Sequence, residues 1–149
     1  MALAAAGILS LTPGLDAQRP SSRRLETVKG LTCVFPLLAN GTWDKGEPHA
    51  DVKAAKLTMR FDAINTEEGT ARVTDAFGRF EIIARLSTDT LHLMQSFSAG
   101  PLYVTTVFNI ESRGGKLKAV HARHELTDAV LPGFTSSPEQ YYGECEVDP

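Results

Sequence analysis

Between Leu102 and Glu125 the chain reads LYVTTVFNIESRGGKLKAVHARHE, and this stretch constrains the fold more than any other. Two runs rich in β-branched and aromatic residues flank Arg113-Gly114-Gly115, the pattern of a β-hairpin. Side chains two apart on a strand share a face. Leu102, Val104, Thr106, Phe108 and Ile110 therefore form one face of the first arm, and Leu117, Ala119, His121 and Arg123 one face of the second. Setting Ile110 opposite Leu117 brings Phe108 to Ala119, Thr106 to His121 and Val104 to Arg123. The shared face is apolar near the turn and polar further along.

The rest of the chain repeats this character. Strands are expected at about Val28–Phe35, Lys56–Ile64, Thr70–Thr74, Phe80–Leu86, Thr90–Phe97 and Tyr141–Val147. Pro36 is expected to end the first of them. Asn40-Gly41-Thr42-Trp43 reads as a turn, followed by loop through His49. Asn40-Gly41-Thr42 also fits the N-glycosylation sequon, which matters only in a eukaryotic secretory pathway. Apolar residues alternate with polar ones in Leu57, Met59 and Phe61, and again in Phe80, Ile82, Ala84 and Leu86. No helix-length amphipathic window and no repeat is present. The fold class is all-β, a single antiparallel meander of about eight strands closing into a small barrel or a tight sandwich.

Two cysteines support closure. Cys33 falls on the apolar face of the first strand and Cys145 on the matching face of the last. A disulfide between them requires the terminal strands to lie side by side. Neither sits in a Cys-x-x-Cys context, so redox catalysis and structural zinc have no support.

The compartment follows from the same pair and from the N-terminus. The first seventeen residues, MALAAAGILSLTPGLDA, hold an apolar run, a Pro-Gly break and a small residue at Ala17, but no lysine or arginine. They resemble a secretory leader without its basic start. The expected organisation is a leader at 1–17, a polar tether at 18–26 and a β-barrel domain at 27–149, with export to a periplasmic or extracellular space. The net charge is −3 and basic residues form no stripe, which excludes an electrostatic nucleic-acid binder. No apolar run reaches the length of a transmembrane helix.

Gly41-Thr42-Trp43 resembles the Gly-x-Trp element of the lipocalin-like (calycin) barrels. The resemblance implies that Trp43 opens the first strand and packs beneath an arginine of the last. The final strand, Tyr141–Val147, holds no arginine, so this chain departs from the pattern there.

Candidate chemistry concentrates at the polar end of the central hairpin. His121 and Arg123 share a strand face while His124 points away, so the His-x-x-His spacing makes no bidentate metal site. With Thr106, and with Phe134 from the long irregular segment Leu126–Gln140, His121 and Arg123 form the expected ligand site, suited to a carboxylate or other anion. An internal ion pair with Glu125 or Glu144 is the competing explanation for Arg123. No catalytic residue, metal or cofactor is assigned: no acid and base pair is placed, and no nucleophile elbow exists. Tyr103 and Tyr142, if outward, mark a partner surface. The expected role is non-catalytic binding of a small ligand. The alternatives are a protein-interaction module, subunit or inhibitor, using the outer face and the 126–140 loop, and a hydrolase with His121 as base.

Overall fold

The computed structural model describes residues 24–76, 78–128 and 136–149. Eight strands run in chain order: β1 Leu31–Asp44, β2 Glu47–Asn65, β3 Thr70–Asp75, β4 Gly78–Ser87, β5 Thr90–Ser96, β6 Leu102–Glu111, β7 Leu117–His124 and β8 Glu139–Val147. Each pairs antiparallel with the next, and β8 returns to β1, so all lie in one closed, ring-like sheet. Among the described residues there is no helix, and none long and apolar enough to cross a membrane. The meander needs only short connections, and closure removes the two sheet edges that an open meander would leave.

The inward residues are those that the alternation marks: Phe61 and Met59 on β2, Val73 on β3, Ala84 on β4, Leu91 and Leu93 on β5, Leu117 and Ala119 on β7, all buried. Cys33 stands opposite Cys145 across the β1–β8 seam, and the two form a disulfide. The covalent link and the hydrogen-bonded ladder therefore close the ring at the same place.

Leu25 and Val28 are also buried, and Leu25 extends the packed domain upstream of residue 27. The turn that carries them closes one end of the ring. It is fixed there by Ile64 N–H donating to the Lys29 carbonyl (3.1 Å) and Asp148 N–H donating to the Gly30 carbonyl (3.0 Å).

Two expectations are corrected. Pro36 does not end the first strand, and 40–43 is no turn. The missing N–H of Pro36 is absorbed in a bulge: pairing shifts between Phe35 and Leu37 against β2, and between Val34 and Leu37 against β8. Beyond it β1 runs on to Asp44, and the turn comes at Lys45-Gly46, whose φ angles of 51° and 89° fit a two-residue type I′ hairpin.

A third correction is the register of the central hairpin. Val107 pairs with Ala119, Thr105 with His121 and Tyr103 with Arg123, because pairing shifts between Val107 and Glu111. Asn109 N–H faces the β5 side and donates to the Asp89 carbonyl at 2.9 Å. A one-residue slip reverses every side chain. Tyr103, Thr105 and Val107 therefore face inward, and Tyr103 is not part of the outer surface.

Candidate functional site

At the end of the ring opposite Leu25, strands β6, β7 and β8 bring together Tyr103, Thr105, His121, Arg123 and Tyr141. His121 is 1% exposed. Its Nδ1 lies 2.8 Å from Thr105 Oγ1, and Arg123 Nε donates to its Nε2 at 3.3 Å. A guanidinium can only donate. Nε2 is therefore the acceptor, and the proton sits on Nδ1, donated to Thr105. Burial, reinforced by the Arg123 charge, pushes the His121 pKa down to about 3, so the ring is neutral.

Arg123 lies between two aromatic faces, 5.3 Å from the Tyr103 centroid and 5.2 Å from that of Tyr141. Its Nη1 is 3.8 Å from Glu139 Oε2. Tyr141 donates to Glu139 (2.7 Å) and Tyr103 to Glu125 (2.8 Å). Burial first, then these carboxylates, pushes both phenols up to about 12, so they stay protonated donors. Within the cluster, the free lone pair of His121 is taken by Arg123. Of the two carboxylates expected near Arg123, Glu125 joins the cluster through Tyr103 and Glu144 lies far along β8, opposite Lys118; the one found beside Arg123 is Glu139.

The sequence-predicted residues are thus divided. His121 and Arg123 share the inner face as expected. Thr106 is on the outer face, where its Oγ1 lies 3.1 Å from His92 Nδ1, and Thr105 takes the place beside His121. Phe134 lies outside the described residues. Tyr103, expected on an outer surface, belongs to the cluster, as does Glu125, expected only as a partner for Arg123; Glu139 and Tyr141 were not singled out. The phase of β8 already set Tyr141 in line with Cys145, which was the available signal.

The neutral His121 sets a pH dependence. Its folded-state pKa of about 3 lies below the unfolded value of 6.5, so the unfolded chain binds more protons between these limits. Stability is fully present above about pH 6.5 and falls on acidification toward pH 3. At about pH 5 the expected loss is about 2 kcal/mol, from 1.36 kcal/mol per pH unit. Urea unfolding of His121→Gln, which keeps one donor and one acceptor without titrating, should lack this component.

A second feature stands on the outside. Past the bulge, β1 and β2 run on as an arm that leaves the ring: β1 keeps its pairing with β8 as far as Asn40 and the arm is two-stranded beyond that, while β2 meets β3 only from Arg60. One face of the arm carries Leu37, Ala39, Gly41 and Trp43 against Ala54, Val52, Ala50 and Pro48. The other carries Asn40, Thr42 and Asp44 against Asp51, His49 and Glu47. Residues 47–54 are all exposed, with Trp43 at 55% and Val52 at 67%. The apolar face continues the outside of the ring, where Leu37 stands beside the exposed Tyr142. Where the arm leaves β8, an open depression of about 250 Å³ is lined by Ala39, Gly41, Ala50, Arg123, His124 and Glu139, among others.

No family model, curated protein or solved structure matches this chain. The exposed Trp43, at the far end of β1 with Pro48 opposite, also lacks the packing that the Gly-x-Trp resemblance implied. The arrangement must be read from its own chemistry. Among the described residues, no three His, Cys, Asp or Glu side chains converge as a metal site would require.

Proposed function

We propose that this chain is an exported, non-catalytic binding domain that engages a protein partner through the outer face of the β1–β2 arm and the depression at its base. One observation carries the reading: an amphipathic arm whose apolar face, Leu37, Trp43 and Val52, stands open to solvent. Exposed apolar surface rimmed by polar groups marks interaction sites. The inner cluster argues in the same direction, since Arg123 and His121 are already engaged with one another and with Glu139 and Thr105. The Cys33–Cys145 disulfide supports an oxidising compartment.

A small anionic ligand is the second reading, favoured by Arg123 and His124 lining the depression. The two separate experimentally. Trp43 is the sole tryptophan, so its emission reports engagement of the arm directly. Wild-type protein immobilised in extracellular or periplasmic fluid of its host should retain a defined protein, and Trp43→Ser/Val52→Ser should lose it while keeping its circular dichroism and melting temperature. Equal retention by both overturns the arm reading. An acidic small molecule seen by native mass spectrometry, and lost in Ala50→Leu, establishes the second reading in its place.

A further inference from the structure

We propose that the arm also pairs with itself: β2 of one molecule adds, antiparallel, to β2 of a second copy along its free edge, on a two-fold axis at Val52. This rests on the edge of the arm and not on the partner reading above.

Among the described residues, none pairs with this edge of β2 between Glu47 and Met59, and β3 begins to pair with β2 only at Arg60. The type I′ turn makes Asp44 and Glu47 a hydrogen-bonded pair, and bonded and non-bonded pairs then alternate along the arm. Pro48, which has no N–H, falls at a non-bonded position opposite Trp43. Gly41, opposite Ala50, falls at the next one, and its N–H indeed turns away from β2 to the Pro138 carbonyl (2.8 Å). The N–H and C=O groups of Ala50, Val52 and Ala54 are therefore directed out of the free edge.

Charge selects the register. Opposed residues in an antiparallel pair share a face, so a two-fold axis must pass through a residue. Through Val52, it sets Asp51 opposite Lys53 of the second copy, twice, on the charged face, and Ala50 opposite Ala54 on the apolar face. Through Asp51 or Lys53, it would set like charges against each other, which is unfavourable. Through Ala50, it would place Pro48 opposite Val52, where a donor is needed. Pairing about Val52 also brings Met59 of the second copy level with the turn at Lys45. Pro48 and Lys56 bracket the paired segment. A two-fold pairing uses both edges and closes, giving a dimer and not a fibre.

Sedimentation of the full chain over a range up to about 100 µM tests this, a span that detects any dimer of micromolar affinity. The expected result is a dimer. Val52→Pro removes the central edge donor at a position which, like Pro48, gives nothing to β1; it should yield a monomer with the arm intact. Asp51→Lys alone and Lys53→Asp alone should each weaken association at least tenfold, as like charges meet. Mixing those two variants should give a one-to-one heterodimer, and Asp51→Lys/Lys53→Asp should restore self-association. A wild-type monomer throughout, a dimer indifferent to Val52→Pro, or a failure of the exchanged charges to restore pairing overturns the proposal.

Discussion

Replacing both Cys33 and Cys145 with alanine lowers the thermal midpoint by about 15–20 °C. The bond spans 112 residues, and cross-linking a loop of that order removes enough freedom from the unfolded chain to stabilise the fold by about 4.7 kcal/mol in the chain-entropy model. For a domain of this size each kcal/mol corresponds to roughly 4 °C. The ladder between β1 and β8 persists without the sulfurs, so the variant still folds, with the same circular dichroism. Both cysteines are fully buried, so a reductant reaches them only through opened molecules. Adding it to the native protein acts slowly; adding it in urea acts at once. A midpoint that moves by only a degree or two in the alanine variant would show that the seam is held by its hydrogen bonds alone.

Gly143→Ala should be nearly as damaging, and for a different reason. A Cβ at Gly143 would lie 2.0 Å from the Val34 carbonyl oxygen and 2.7 Å from the Phe35 Cα. Both are backbone atoms at the Pro36 bulge, which cannot rotate aside as a side chain would. The seam must open to admit the methyl group. The expected cost is about 3 kcal/mol, at the upper end of the range for overpacking. Urea titration measures it, with Gly114→Ala as the control: there the nearest atom, Ser112 Oγ, is 3.8 Å away, and the change should be within about 0.5 kcal/mol. Equal effects of the two substitutions would mean that close approach at the seam is not what requires glycine.

Much of the ring was legible in the sequence because its strands alternate in only one way. Phe80, Ile82, Ala84 and Leu86 offer a single apolar phase, and β4 follows it. Cys33 and Cys145 then fix which strands must meet. The central hairpin was harder, because both phases of Leu102–Ile110 hold good strand formers. Nothing local distinguishes Val104 and Thr106 from Tyr103 and Thr105, and the bulge between Val107 and Glu111 decided the matter through tertiary pairing. The arm was missed for a related reason. Asn40-Gly41 and Pro36 are turn and breaker signals taken alone, yet here Pro36 occupies a bulge and Gly41 lies close against Pro138, with its N–H bonded to the carbonyl there. The polar cluster was half visible: the β7 phase gave His121 and Arg123, while the stacking of Arg123 between Tyr103 and Tyr141 depended on the corrected register.

The seam has one more consequence. Leu31 pairs with Val147, and Gly30 is tied to Asp148, so the polypeptide enters and leaves the ring at the same pole, the one farthest from Trp43 and Val52. Whatever is joined ahead of Gly30 or behind Asp148, whether a surface, a resin or another folded unit, holds the molecule by its base. The arm is then presented outward, like a flag on a pole, with both its edge and its apolar side still accessible.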